Sequence, residues 1–298
     1  MDHQEIIVQP ATVGALLDEV HAAMQSADLY FGHGSDNPWD ESVFLVFSAA
    51  GLPLDSSDEV LSRPVHAAVI EKARDWLLRR IAQREPLPYI TGEAWFCGLP
   101  FEVNPSVLIP RSPMAELIEY GFSPWLQQEP AAILDLCTGS GCIGIACAHA
   151  FEEADVDVAD LSPEALAIAS RNIARFDLGH RVHAYQSDLF NQLPARRYDL
   201  IVTNPPYVDA PDMASLPKEF HHEPVLGLEA GTDGLDFVRR ILHDAPHYLT
   251  DNGILVCEVG NSQPALEAAF PELPFVWIEF EHGGEGVFVI GAQDLLNQ

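Results

Sequence analysis

Asn204-Pro205-Pro206-Tyr207 follows directly on the apolar run Tyr198-Asp-Leu-Ile-Val-Thr203. These residue types in this order suit one chemical purpose, which is to hold a planar NH2 group still while a methyl group is delivered to it. An amide or aromatic amine nitrogen is a poor nucleophile because its lone pair is delocalised. The Asn204 side-chain carbonyl and the Pro205 main-chain carbonyl can each accept one N–H, turning the lone pair toward an electrophile. Pro206 stiffens the loop and brings no N–H that needs a partner, and Tyr207 is placed to stack on the flat group. No strong base is required, because positioning alone can be worth roughly 7–11 kcal/mol. Asn and Pro are also ordinary turn residues, so the tetrad takes its meaning from what lies upstream.

Upstream, Ala132-Ile-Leu-Asp135-Leu-Cys137-Thr138-Gly139-Ser140-Gly141, continuing Cys142-Ile-Gly144-Ile-Ala-Cys147, predicts a buried strand, a Gly-rich turn and a helix of small residues. Gly139 and Gly141 let the backbone approach a ligand, and the helix N-terminus favours an anionic group such as a carboxylate. Cys137, Thr138 and Ser140 complete this candidate binding turn. Asp160 ends the run Val156-Asp-Val-Ala-Asp160 and is placed to accept both hydroxyls of a ribose, with Ser162 capping a helix that starts at Pro163. Asp188, in Gln186-Ser-Asp188-Leu-Phe190, is placed to accept an adenine amino group. Together these make an adenosine site, with Asn204 counted in the cofactor set as well as in the amide-holding one.

Gly139, Gly141 and Gly144 also spell the dinucleotide fingerprint, with Asp160 near its acidic position. Two features weigh against a nicotinamide cofactor. Asp135 ends its strand with a carboxylate that a pyrophosphate would be repelled by but that suits the cationic amino group of a methionine tail. The Asn204 tetrad has no role in hydride transfer. S-adenosylmethionine is therefore the expected cofactor.

The elements that position these residues follow from periodicity. Residues 1–85 read as helical: Val13, Leu16, Leu17, Val20 and Met24 recur at helical spacing, as do Val69, Ile70, Ala73, Trp76, Leu77 and Ile81. Asn37-Pro38 opens another helix and Gly51 closes it. Residues 86–110 are dense in Pro and Gly, and Trp95–Val103 suggests a hairpin linking two domains. Beyond Ser112-Pro113, helices alternate with apolar strands to about residue 260, which predicts a parallel sheet. Phe275–Phe280 and Gly286–Ile290 read as a closing strand pair.

Composition narrows the class. The chain has 298 residues with 48% hydrophobic content, enough for one large or two modest cores, and it reads as a soluble globular protein. Met1-Asp-His-Gln-Glu5 has neither the basic nor the apolar stretch of a secretory signal, and no membrane span is expected. The five cysteines form no C-x-x-C and read as small buried residues of a reducing cytoplasm. No metal site is expected, since His221-His222 lacks a carboxylate-histidine helix motif. A formal charge of −30, from 45 acidic and 15 basic residues, repels phosphate backbones and argues against duplex DNA binding. It would attract a basic protein.

The Asp135–Gly141 turn, Asp160, Asp188 and Asn204–Tyr207 resemble the motifs of the N5-glutamine methyltransferase family, which are class I S-adenosylmethionine enzymes. So do Ile109-Pro-Arg111 and the stretch from His222-Glu223-Pro224 through Gly231-Thr-Asp-Gly-Leu235. The resemblance covers essentially the whole chain. It implies an α/β fold with a Rossmann-like seven-stranded catalytic sheet over 111–298, an N-terminal helical substrate-recognition domain over 1–88, and a β-hairpin linker over 89–110. Three segments resemble the branch that modifies a glutamine of large-subunit ribosomal protein L-three: residues 30–41, Ala94-Trp-Phe-Cys-Gly98 and Pro110-Arg-Ser-Pro-Met-Ala-Glu116. The release-factor branch usually has Pro-Glu-Thr-Glu after that arginine, and Gly where this chain has Cys137. The expected substrate is thus a basic ribosomal protein, with residues 30–41 a candidate recognition segment and His222 and Glu223 at the substrate mouth. Rival readings are a release-factor enzyme, a nucleic-acid amino-methyltransferase acting on a flipped base, and a noncatalytic assembly factor.

Overall fold

A computed structural model describes residues 9–296, so the reading of Met1–Glu5 lies outside the described residues. The chain separates into two compact units: one takes the described residues up to Glu93 together with Pro217–His222, the other Ala94–Leu216 and the described residues from Glu223 onward.

The first unit contains α1 (Val13–Ser26), α2 (Pro38–Ala50), α3 (Ala67–Ala82) and α4 (Leu87–Thr91). The apolar positions that predict α1, namely Val13, Leu16, Leu17, Val20 and Met24, are its buried residues, and Thr12 caps it by accepting from the Ala15 N–H. Asn37 caps α2 by accepting from the Asp40 N–H at 2.9 Å, and Gly51 ends it in the left-handed conformation at φ 66°. In α3 the expected Ala73 and Leu77 are buried, while Val69, Ile70, Trp76 and Ile81 pack partly buried against the same core. Arg80 is also buried there, which its type would not predict. Its guanidinium pairs with Glu41, lies 3.2 Å from Glu219 and donates to the Tyr30 carbonyl at 2.7 Å. Glu219 accepts the Tyr30 N–H at 3.0 Å. One buried cation thus gathers the 30–41 segment and the 217–222 segment.

β1 (Glu93–Phe96) and β2 (Leu99–Glu102) form a two-stranded hairpin. Its turn residues Cys97 and Gly98 have φ 48° and 72°, the positive pair a two-residue primed turn demands. Cys142, Cys147 and Cys257 are buried as expected and Cys137 is half-buried, but Cys97 is exposed because it forms this tip.

The second unit continues with α5 (Met114–Glu119), β3 (Ala132–Leu136), α6 (Cys142–Ala150), β4 (Asp155–Asp160), α7 (Pro163–Arg175), β5 (Val182–Gln186), β6 (Tyr198–Thr203) and α8 (Ala210–Met213). It closes with α9 (Asp236–Tyr248), β7 (Leu249–Glu258), α10 (Gln263–Ala269), β8 (Val276–Trp277), β9 (Val287–Gly291) and α11 (Ala292–Leu295). The seven strands order as β5-β4-β3-β6-β7-β9-β8. β3 to β7 run parallel, and β9 and β8 add antiparallel at the edge. This is the α/β sheet expected, with Phe275–Phe280 reduced to a two-residue strand at the edge.

Side chains alternate between two apolar layers. Ile133, Val158, Val202 and Val256 face the layer that contains α6; Leu134, Leu136, Ile201 and Leu255 face the layer that contains α9. Both faces of the central strands are covered, which is why their sequences read as continuous apolar runs. From β3 the chain builds outward through β4 and β5, then returns to place β6 on the other side of β3. That reversal opens a crevice at the strand ends, where ligands of such sheets bind.

Candidate active site

Sheet register aligns the chemistry-bearing residues. Leu136 pairs with Ala159 on one side and Thr203 on the other, and Thr203 pairs with Cys257. One residue further along each strand therefore come Asp160, Cys137, Asn204 and Glu258, side by side at the crevice.

Cys137, Thr138, Gly139, Ser140, Asp160, Asp188, Asn204 and Pro206 all line one cleft, closed on its other sides by Val107–Ser112, Leu161, Leu189, Leu226 and Phe237. Asp135, Gly141, Pro205 and Tyr207 of the predicted set are not part of its lining. Asp135 lies fully buried beneath the turn, on the α6 side of the sheet. Its Oδ2 accepts from Thr138 Oγ1 at 2.5 Å and from the Gly144 N–H at 2.8 Å, while Oδ1 has no hydrogen-bond partner. Gly144 is required there: a Cβ would stand 2.6 Å from Val158 and 3.0 Å from the Asp135 carboxylate. Burial pushes the Asp135 carboxyl up to about 7. Gly141 caps α6 at φ 83°, and the Ser140 hydroxyl is buried without a partner.

Asp160 accepts the Gly139 N–H at 2.9 Å through Oδ2 and the Ser162 N–H at 2.9 Å through Oδ1. It therefore fixes the Gly-rich turn while each oxygen keeps a lone pair. Burial raises its carboxyl, and those backbone N–H groups oppose the rise. Asp188 sits on the cleft wall with Arg240 donating to Oδ1 at 2.8 Å and Asn191 to Oδ2 at 3.2 Å, and the arginine holds its carboxyl below the usual range. Cys137 adopts φ 57°, a left-handed conformation that favours glycine, and burial raises its thiol far above the ordinary value.

The tetrad is anchored from behind by a residue that local sequence pattern does not single out. Glu258 ends β7 with its side chain almost fully buried. Its Oε2 accepts from Ser112 Oγ at 2.6 Å and its Oε1 accepts from the Tyr207 hydroxyl at 3.0 Å. The Tyr207 ring lies against Gly260, where a Cβ would come within 2.6 Å of it. Asn172 of α7 is a second such residue. It brackets Glu102 of the hairpin, accepting its N–H at 2.8 Å and donating to its carbonyl at 3.0 Å, and it also donates to the Ser140 carbonyl at 2.9 Å. The one available signal is that Glu258 ends an apolar run just as Asp135 does.

His222 and Glu223 do not line the cleft; they part company. Glu223 is buried and takes both arms of Arg111, at 2.6 and 2.8 Å, and the Ile109 N–H at 3.1 Å, which braces the cleft wall. His222 contacts the Gln83 carbonyl in the helical unit at 2.9 Å. No three His, Cys, Asp or Glu side chains among the described residues are grouped to hold a metal ion. No described helix is long and apolar enough to cross a membrane.

Residues 123–225 match the methyltransferase small domain family. In the solved hMettl16 catalytic domain, bound to a MAT2A 3'UTR hairpin, the same fold recurs with a TM-score of 0.52 and 17% identity, covering 76% of this chain and 83% of that one. The ribosomal protein uL3 glutamine methyltransferase of Francisella tularensis is 45% identical over 98% of this chain and 94% of its own length. That of Bordetella pertussis is 44% identical over 95% of this chain and 96% of its own. At that identity over nearly the full length of both proteins, the chain belongs to the ribosomal protein uL3 glutamine methyltransferase family.

Proposed function

We propose that this protein transfers a methyl group from S-adenosylmethionine to the side-chain amide nitrogen of a glutamine in ribosomal protein uL3. The observation that carries the reading is the juxtaposition of Asn204-Pro205-Pro206-Tyr207 with the Asp160-fixed Gly139 turn across the β3/β6 crevice. Relatives named for this activity at 44–45% identity support the substrate.

The cleft suits that cofactor. Asp160 retains a lone pair on each oxygen for ribose hydroxyls, and Asp188 retains the same beside Arg240 for an adenine amino group. Leu161, Leu189 and Phe237 offer apolar walls to a flat base. Cys137, Thr138 and Ser140 on the cleft wall fit the polar end of a methionine tail, and Asp135 beneath them holds the turn through Thr138 and the Gly144 N–H. When bound, S-adenosylmethionine supplies an electrophilic methyl group. This chain's part is to present the nucleophile: Asn204 Oδ1 and the Pro205 carbonyl accept the two amide N–H groups, and Pro206 and Tyr207 fix the loop.

The helical unit serves as the substrate-recognition domain, with the 30–41 segment as its reader; Tyr30 and Trp39 are each 45% exposed on it. The strongly acidic surface favours a basic ribosomal protein over nucleic acid and fits a cytoplasmic enzyme. The test is methyl transfer from labelled S-adenosylmethionine into purified uL3, beside a release factor and duplex DNA. Label is expected on uL3, lost on replacing its acceptor glutamine. Asn204→Ala should lower turnover about a hundredfold or more while cofactor affinity stays within about threefold. Label on the release factor alone would overturn the substrate, and label on DNA alone the acceptor class.

A further inference from the structure

Asn172 joins two walls of the cleft without lining it. It lies on α7 with no exposed surface, and both of its side-chain donors are engaged. Oδ1 accepts the Glu102 N–H at 2.8 Å, while Nδ2 donates to the Glu102 carbonyl at 3.0 Å and to the Ser140 carbonyl at 2.9 Å. One N–H and two carbonyls around the amide leave a single orientation, since the reversed group would set its oxygen against both carbonyls. Ser140 belongs to the Gly-rich turn. The peptide joining it to Gly141 is held from both sides, its carbonyl by Asn172 and its N–H by the Thr138 carbonyl at 2.9 Å. Glu102 ends β2, and the chain beyond it becomes the Val107–Ser112 wall through a hydrogen-bonded turn. In that turn the Val107 N–H meets the Asn104 carbonyl at 3.1 Å and the Ser106 N–H meets Asn104 Oδ1 at 2.9 Å. Val103 and Val107, on either side of the turn, are buried. A displacement of Glu102 is therefore carried into the wall, because nothing between them is slack.

The far end of the same wall has anchors of its own: Glu223 accepts the Ile109 N–H and Glu258 accepts from Ser112. We propose that Asn172 is a positioning residue for the cofactor, one buried amide that fixes the separation between the Gly-rich turn and the near end of the Val107–Ser112 wall. The inference rests on the reading of the cleft as an S-adenosylmethionine site. Loss of the amide frees the Ser140 peptide and the root of the wall together. Cofactor binding then weakens, since walls that no longer keep their spacing must be ordered when the ligand enters. Turnover of bound cofactor suffers less, because Asn204 and Pro205 follow β6, which is held in the sheet by β3 and β7. Arg171, one residue before Asn172, makes a different contact. Its Nε donates to the Glu102 side chain at 2.8 Å on the surface, so it grips no backbone group of the strand there.

The test is Asn172→Ala, with Asn172→Ser as the variant that keeps a small polar group should the cavity prove too destabilising. Affinity for S-adenosylmethionine by calorimetry, taken well below the melting temperature, should weaken about tenfold or more, while turnover at saturating cofactor stays within about threefold. Two controls separate this from general loosening. Ile173→Ala opens a cavity at the next residue of the same helix, and Arg171→Ala removes the surface contact to Glu102; each should bind cofactor within about threefold of wild type. Asn172 variants that bind like wild type, or Ile173→Ala losing as much affinity as they do, would overturn the proposal and leave the function standing. A wild type that binds no S-adenosylmethionine would overturn the functional reading instead, and hydrogen exchange of the ligand-free protein then judges the tether. The Glu102 and Gly141 N–H groups should both exchange about tenfold faster in Asn172→Ala, with exchange in β4 unchanged. Protection kept at Gly141 would mean that the amide does not couple the two walls, and would overturn the proposal.

Discussion

Asp135 carries a measurable signature of its position. Its carboxyl moves from an ordinary value of 3.8 up to about 7 through burial, so between about pH 4 and 7 the folded protein binds a proton that the unfolded chain has released. By linkage, the contribution of Asp135 to stability falls as pH rises through that window and is flat above it. Asp135→Asn keeps an oxygen for Thr138 and Gly144 and carries no charge. It should melt at a higher temperature than wild type at pH 8, with the gap closing toward pH 4; scanning calorimetry across that range checks this. Asp135, Asp160, Asp188 and Asn204 are legible in the sequence because each ends or follows an apolar run. Glu258 ends one too, yet only sheet register brings it beside Asn204, and nothing in one dimension specifies that Cys257 pairs with Thr203.

At the scale of elements, local signals succeed where the causes are local. Asn37-Pro38 and Gly51 bound α2, and five apolar positions define α1. Arg80 escapes because its partners are remote: it continues the Ala73–Leu77 face of α3, but Glu219 lies 139 residues away in the chain. The cluster yields a firm expectation. Arg80→Met leaves Glu41 and Glu219 buried without their cation, which should destabilise the helical unit by about 3–5 kcal/mol in urea unfolding. Replacing both acids with glutamine in the same chain should recover most of that, since the cost lies in the orphaned charges. The edge strand is shorter than its sequence suggests for a different reason. Phe275–Phe280 is largely apolar, but with a single neighbour Val276 and Trp277 pair with β9 and Ile278 adds one N–H to the Val287 carbonyl at 2.9 Å.

For the whole molecule, the excess of acid is the dominant fact. A net charge of −30 creates a long-range field that steers a basic protein toward the enzyme. The association rate with uL3, followed by stopped-flow fluorescence, should fall by about tenfold or more from about 10 to about 150 mM salt, as the Debye length shrinks from about 30 to about 8 Å. The dissociation rate should change far less. A flat association rate would mean that the surface serves solubility alone.

The helical unit borrows Pro217–His222 from between β6 and α9, and this bears on how the protein is made. Synthesis is vectorial: Arg80 leaves the ribosome 139 residues ahead of Glu219, and Glu41 earlier still, a delay on the order of ten seconds at typical elongation rates. Through that interval the nascent helices carry a guanidinium lacking one of its two carboxylates, and they become a finished body only after β3 to β6 have emerged. The units therefore mature interleaved. A graft of the residues up to Glu93 onto another enzyme would import an unfinished fold, whereas a graft that also carries Pro217–His222 would not.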